Sequence, residues 1–141
     1  MKRLAILILL LAAGANAAPR FEAIEIWIDA PQPVAAWQFE LRDANGHTTI
    51  VGVENGDSEA FGDAPYYDRD AVNAGDAERI VVADFSLADD LPSGYFRLAT
   101  VHVMVDGGEP DFELTLVTVT DHDGQRVDAS ISVREKDWRQ P

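Results

Sequence analysis

The sequence contains no cysteine in its 141 residues. Disulfide bonds, thiolate metal sites and thiol redox chemistry are therefore excluded, and so is a lipid anchor attached to cysteine. Apolar packing must hold the fold together. A single domain of about this length buries roughly two-thirds of its unfolded surface, which is sufficient for one self-supporting core.

Basic residues are scarce. The chain has 11 Lys and Arg against 25 Asp and Glu, and its formal net charge is −14. So negative a chain is not expected to bind nucleic acid or anionic lipid non-specifically. Two interpretations of the charge stay open: solubility, including adaptation to a salty medium, or a surface that attracts cations such as Ca2+ or a basic partner.

The sequence has one long apolar run, from Leu4 to Ala13, which follows the basic residues Lys2 and Arg3. Together with the small residues that follow it, Gly14, Ala15 and Ala17, this run predicts a signal peptide over residues 1–17, cleaved between Ala17 and Ala18. It is shorter than the roughly 20 apolar residues that span a bilayer. We therefore expect a secreted or periplasmic protein without membrane insertion.

Helical periodicity is absent from the rest of the chain, which is expected to form one domain over 18–134 and a disordered tail over 135–141. Short segments of alternating character recur between turn residues, a pattern typical of strands. Strands are predicted at 21–29, 34–42, 47–54, 78–87, 95–106, 112–120 and 127–133. Such an order, without the spacing of βαβ units, predicts an all-β fold, an antiparallel β-sandwich.

Several predicted strands have one clearly apolar face. The residues expected to point inward are Ile24, Ile26, Ile28, Ala35, Trp37, Phe39, Leu41, Ile80, Val82 and Phe85. The segment 95–106 is apolar on both faces, which predicts a central strand. Asn45-Gly46 predicts a hairpin with a type I′ turn, and Asp123-Gly124 predicts another hairpin.

The segment from Asn55 to Ala77 differs from the rest, because it is rich in Asp and Gly. We expect a long loop with a short strand or a turn of helix near Tyr66. Loops of this length are often functional. The alternative is an ornamented crossover between two sheets.

This loop supplies candidate metal ligands, Asp57, Asp63, Asp68 and Asp70, whose carboxylate oxygens are of the kind that Ca2+ prefers. The alternative is solvated charge. A second candidate is the segment 121–124, which begins like a calcium loop but lacks its later ligands; the alternative there is a tight turn capped by Asp side chains.

Three aromatic residues are candidate ligand contacts: Trp27, Tyr66 and Tyr67. An exposed aromatic ring beside carboxylates can stack on a sugar ring and hydrogen-bond to it. Trp27 lies opposite the isoleucine face of its strand, and its alternative location is the core.

Catalytic motifs are absent. None of the histidines His47, His102 and His122 lies in a serine-hydrolase motif. A glycosidase needs two facing carboxylates, but with so many acidic residues some pair would meet that spacing by chance. We therefore expect no enzymatic activity.

Several segments resemble the sequence pattern of cohesin domains: 35–43 (AAWQFELRD), 50–57 (IVGVENGD), 80–86 (IVVADFS), 94–103 (GYFRLATVHV) and the closing hairpin 124–133. The resemblance implies a cohesin-like jelly-roll β-sandwich of about nine strands, related to some carbohydrate-binding modules. It also implies that a protein partner binds one sheet face, here through Val34 to Arg42 and the neighbouring edge.

Three functional hypotheses follow. The first is a secreted non-catalytic cohesin-like module that binds a protein partner. The second is a carbohydrate-binding module that binds a polysaccharide, and the third is a small secreted hydrolase.

Overall fold

The computed structural model describes residues 18–75 and 77–135. The predicted signal peptide over 1–17 and the predicted tail beyond residue 135 lie outside the described residues, as does Asp76. The strands are β1 (Arg20–Ala30), β2 (Ala36–Asp43), β3 (Thr48–Asn55), β4 (Arg79–Phe85), β5 (Gly94–Val105), β6 (Phe112–Thr120) and β7 (Ser130–Glu135).

The strands form two antiparallel sheets, one with the order β3-β5-β1-β7 and one with the order β4-β2-β6. Every connection between successive strands crosses from one sheet to the other. The predicted all-β sandwich is confirmed. The predicted number of about nine strands is wrong, because the described residues form seven; the segment between β3 and β4 folds into helical turns instead of further strands.

The core lies between the sheets and follows the predicted alternation. Ile24, Ile26 and Ile28 of β1 are fully buried, and Trp37, Phe39 and Leu41 of β2 face them from the other sheet. The inward orientation predicted for Phe85 is wrong. Its ring is 56% exposed, because Val82 points inward and a residue three positions later on a strand points to the opposite face.

The central position predicted for β5 is confirmed, since β5 pairs with both β1 and β3. Its alternation is not continuous. The register with β1 shifts between Ile26 and Trp27, so that Leu98 and Ala99 are both buried and the inward face changes phase. His102 thereby points to the outer face, where its Nε2 lies 3.0 Å from a carboxylate oxygen of Glu54.

The turn at Asn45-Gly46 does not close a hairpin, because β2 and β3 belong to different sheets. Gly46 has a φ of 69°, whereas a type I′ turn also needs a positive φ at Asn45, and among the described residues only glycines have one. The turn is a corner between sheets. The buried Asp43 carboxylate stabilises it by accepting hydrogen bonds from the backbone N–H groups of Asn45 (3.0 Å), His47 (2.6 Å) and Asp111 (2.8 Å).

Burial alone would raise the pKa of Asp43, but the backbone hydrogen bonds from Asp111, Asn45 and His47 outweigh it and hold the pKa below its ordinary value. The ionised carboxylate therefore contributes stability above the unfolded pKa of about 3.9, and this stability is lost as the pH falls through the lower folded pKa. We expect Asp43→Asn to cost about 2 kcal/mol of unfolding free energy at neutral pH.

Urea denaturation at neutral pH and in acid measures this prediction. The difference between the wild type and Asp43→Asn should shrink in acid, because protonation removes the same charge. Asp29→Asn is the control, since Asp29 is exposed on β1. An unchanged difference in acid would contradict the proposed role of the charge.

The segment between β3 and β4 contains a 3-10 helix at Glu59–Phe61 and the helix α1 (Arg69–Ala74). Asp68 caps α1 by accepting a hydrogen bond from the N–H of Ala71 at 3.0 Å. Tyr66 makes an isolated β-bridge with Ala83, so both features expected near Tyr66 are present. Phe61 and Ala77 are buried in the core, and the segment is thus an ornamented crossover between the sheets.

Candidate functional site

The outer face of the three-stranded sheet is uncharged over half its length. The outward residues there are Ala36, Gln38, Ala83, Phe85, Val117, Thr118 and Thr120. The charged residues lie at the other end and pair with one another: Arg42 with Glu113 at 2.7 Å, and Arg79 with Glu40 at 3.7 Å. An uncharged stretch of this size on a sheet face is an unusual feature in a chain with a net charge of −14.

Large apolar side chains on this face lack cover. Tyr66 is 63%, Phe85 56% and Leu87 91% exposed, and Val81 lies on the same strand face as Phe85. The rings of Tyr66 and Phe85 are nearly parallel, with 6.1 Å between centroids and 5° between planes. We call Tyr66, Val81, Phe85 and Leu87 the β4 patch.

Tyr66 is held in the patch by its backbone. Its N–H donates to the carbonyl oxygen of Ala83 at 2.8 Å, and its carbonyl oxygen accepts from the N–H of Ala83 at 3.0 Å. This short pairing adds Tyr66 to the edge of β4. The patch is therefore built on hydrogen-bonded sheet backbone, apart from Leu87, which follows the strand.

A groove of about 730 Å³ adjoins the patch, where the β1–β2, β4–β5 and β6–β7 connections meet. Phe85 and Leu87 belong to both features. The groove, here called the end groove, is lined by apolar residues together with the acidic residues Asp89, Asp90 and Asp121. It joins an apolar wall to a negatively charged rim.

Asp84 precedes Phe85 and lies on the inner side of β4. Burial raises the pKa of its carboxyl, the N–H of Phe85 opposes the rise by hydrogen bonding, and the nearby charge of Asp63 adds to it. Asp84 is thus more easily protonated than an ordinary aspartate.

The three predicted aromatic contacts are not brought together. Trp27 lies half-buried on the outer face of the other sheet, stacked on Tyr95 at 4.8 Å, with Arg134 over its ring at 5.3 Å. Tyr67 packs against the core with Arg69 over its ring at 4.7 Å. Of the three, Tyr66 belongs to the β4 patch.

No protein-family model, curated protein or solved structure matches the chain. Within the described part of the chain, no helix is long and apolar enough to cross a membrane.

The predicted calcium ligands have separate roles. Asp57 pairs with Arg97 at 3.0 Å, Asp68 caps α1, and Asp70 lies in the first turn of α1. Asp63 is near Asp84. Across residues 18–75 and 77–135, no group of three or more His, Asp or Glu side chains is placed to hold a metal ion.

The segment 121–124 forms the tight turn that was one of its two interpretations. The Asp121 Oδ1 accepts hydrogen bonds from the N–H groups of Asp123 and Gln125, each at 2.9 Å. Thr120 and Arg126 form an isolated β-bridge across the turn, but the turn does not close a hairpin between the two strands predicted on either side of Asp123-Gly124. The next strand, β7, then joins the other sheet.

Sequence reasoning missed Phe85 and Leu87 as site residues. The strand parity contained the signal for Phe85, because Phe85 has the parity of Val81 and not that of Ile80 and Val82. Leu87, the last residue of the predicted strand 78–87, has the same parity as Phe85, and its high exposure depends also on where the β4–β5 connection leaves the sheet.

Proposed function

We propose that this protein is a non-catalytic binding module that recognises a protein partner through the β4 patch and the end groove. The observation that carries the proposal is the exposure of Tyr66, Phe85 and Leu87 beside the uncharged half of a sheet face. Contiguous exposed apolar surface marks interaction sites. The cores of protein interfaces are likewise depleted of charge and enriched in aromatic residues.

Phe85 and Leu87 are the expected anchors. Full burial of one such side chain contributes about 1.5–3 kcal/mol relative to its exposed state. Phe85 already lies in a strand, so its backbone loses little conformational freedom on binding. This pre-organisation favours affinity because fewer groups must be immobilised.

The end groove indicates the chemistry of the partner. Asp89, Asp90 and Asp121 line the groove beside the anchors, and the whole chain is strongly negative. Complementary charge steers association and suppresses unsuitable partners. The expected partner segment therefore carries Lys or Arg next to apolar side chains.

We infer a jelly-roll arrangement and a cohesin-like relationship, supported by the crossing of every connection between the two sheets. The proposed surface lies along β4, the edge strand beside β2, and Ala36 of β2 lines the end groove, so the surface adjoins the sheet face that the resemblance to cohesins implies. Export by the signal peptide over 1–17 would place this surface in the periplasm or outside the cell.

A double variant tests the proposal. Phe85→Ala with Leu87→Ala should weaken binding at least about thirtyfold, corresponding to a loss of about 2 kcal/mol or more at a central hot spot. Proteins captured from the native secretome supply the partner, and calorimetry with the purified partner measures the affinity.

Phe21→Ala is the matched control, because Phe21 is 72% exposed on the outer face of the other sheet. It should leave the affinity unchanged. Equal affinities for the wild type and the double variant, with both folded, would exclude the β4 patch as the binding surface.

A polysaccharide is the second candidate ligand, favoured by the nearly parallel rings of Tyr66 and Phe85. Such rings can stack on sugars while neighbouring carboxylates accept hydrogen bonds from hydroxyl groups. A glycan array distinguishes the two candidates. Specific glycan binding that disappears in Tyr66→Ala would favour the carbohydrate module, and an array without signal would leave the protein partner.

A further inference from the structure

The strand β6 is an edge of the three-stranded sheet, paired with β2 on one side. The β6–β7 connection covers the C-terminal end of its other side, because the N–H of Val127 donates to the carbonyl oxygen of Val119 at 2.9 Å. No described strand pairs with the remaining stretch from Phe112 to Thr118. An uncovered edge presents backbone donors and acceptors to any strand that can reach it.

The other three sheet edges are less open to pairing. On β3, the N–H of Ile50 donates to the carbonyl oxygen of Ala77 at 2.8 Å. On β4, Tyr66 pairs with Ala83. The β7 edge ends in the charged residues Arg134 and Glu135.

The β6 edge is also uncharged from Leu114 to Thr120. A second copy of a chain with a net charge of −14 is repelled over most of the surface, so copies can approach closely where charge is absent. The inward side chains Phe112, Leu114 and Leu116 are only half-buried, which leaves apolar surface at the edge for a neighbour to cover.

We propose that two copies of this chain associate by antiparallel pairing of β6 with β6, about a two-fold axis at Thr115. The resulting sheet has the order β4-β2-β6-β6-β2-β4. Leu114 then lies opposite Leu116 of the second copy, and Thr115 opposite Thr115. The geometry is the symmetric, self-complementary kind expected of dimers.

Charge disfavours the register that has its axis at Glu113. With the axis at Thr115, Glu113 lies opposite Val117 of the second copy. An axis at Glu113 would place two glutamates directly opposite each other, and directly opposed like charges destabilise a strand pair. The register of β6 shifts at Val117, so regular pairing in the proposed dimer is confined to the residues nearest the axis, Leu114 to Leu116.

The dimer has one consequence for binding, which rests on the proposed function. Pairing at β6 leaves both β4 patches on one continuous sheet face, each at an outer edge. Two linked sites of this kind raise the avidity for a repeated or paired partner without a new contact. The dimer itself is measured without any partner, so its failure and that of the binding proposal are separate results.

Sedimentation of the purified chain over a wide dilution series measures the association. Dimer should dissociate on dilution, and added salt should increase its fraction, because screening weakens the repulsion between two acidic copies. Thr115→Glu should give a monomer at every concentration, because it places two carboxylates opposite each other. Ser130→Glu, on the exposed edge strand β7, should remain dimeric.

The absence of cysteine allows a second measurement that does not depend on weakening the edge. Thr115→Cys, oxidised with glutathione disulfide, should form a covalent dimer faster than Ser130→Cys, because residues opposite each other at a two-fold axis lie within disulfide distance. A wild type that is monomeric at all concentrations and salt levels, with equal cross-linking of both cysteine variants, would overturn the proposal. If Thr115→Glu unfolds by circular dichroism, the cysteine comparison decides.

Discussion

Gly56→Ala is expected to destabilise the protein by about 4 kcal/mol, the upper range for a single substitution. A Cβ at this position would lie 1.8 Å from the carbonyl oxygen of Arg97 and less than 3 Å from two further backbone carbons of β5. Backbone atoms of the central strand cannot move aside as a flexible side chain can. The methyl group must therefore displace the chain after β3.

That displacement has a second cost. The N–H of Asp57 donates to the same carbonyl oxygen of Arg97 at 3.0 Å, and the Asp57 carboxylate pairs with the Arg97 guanidinium at 3.0 Å. The close approach of Gly56 permits both contacts. Their loss leaves Arg97, which is half-buried, without one of its two acidic partners.

Gly52→Ala is the matched control. Gly52 lies on β3 four residues earlier, and a Cβ added there would meet no atom within 4 Å beyond its chain neighbours. Alanine there should be neutral or stabilising by up to about 1 kcal/mol, because it reduces the entropy of the unfolded chain. Chemical denaturation measures both variants, and equal stabilities would show that the space at Gly56 is not limiting.

Trp37→Ala is expected to cost about 3–5 kcal/mol, the range for removing a large buried aromatic side chain. Trp37 is 2% exposed. Its ring stacks on Phe39 with 5.6 Å between centroids, and Phe61 approaches edge-on at 6.1 Å. Because Phe61 belongs to the crossover segment, the substitution should also loosen that segment from the core.

Trp37→Phe separates packing from polarity. The indole N–H of Trp37 is buried and has no hydrogen-bond partner in the described structure, and such a group carries an uncompensated desolvation cost of about 1–3 kcal/mol. Phenylalanine removes that cost and keeps most of the ring. Its loss in urea denaturation should therefore be much smaller than that of alanine. If Trp37→Phe and Trp37→Ala lost the same unfolding free energy, the loss would belong to the indole ring system as a whole.

The strand positions were predictable because strand side chains alternate with a period of two. The predicted strand 112–120 coincides with β6, and the predicted strand 47–54 differs from β3 by one residue at each end. Ile24, Ile26 and Ile28 were assigned to the core from the same alternation. Apolar side chains on one face need burial, whatever strand lies beside them.

The pairing of strands was not predictable in the same way. The Asn45-Gly46 segment looks like a local hairpin, but its flanking strands enter different sheets, and Asp111 supplies a hydrogen bond from a distant connection. The phase change in β5 arises from its register with β1. Both features depend on contacts between residues far apart in the chain.

The candidate site shows the same division. Tyr66 was a candidate from its residue type, whereas Phe85 was assigned to the wrong face and Leu87 was not considered. Trp27 and Tyr67 share the aromatic character of Tyr66, but in the folded chain each packs against an arginine elsewhere. Residue type indicated which side chains could bind a ligand, and the fold placed one of them on the β4 patch.

By itself, the sequence determined that this chain folds into a β-sandwich, because the alternation of apolar residues selects the strands and their inward faces. It also determined that apolar packing holds the sandwich together, because a chain without cysteine cannot form disulfide bonds. The tertiary structure decided which strands adjoin, where registers shift and which apolar side chains remain uncovered. Those properties depend on which distant residues come into contact, and a local pattern carries no information about its eventual neighbours.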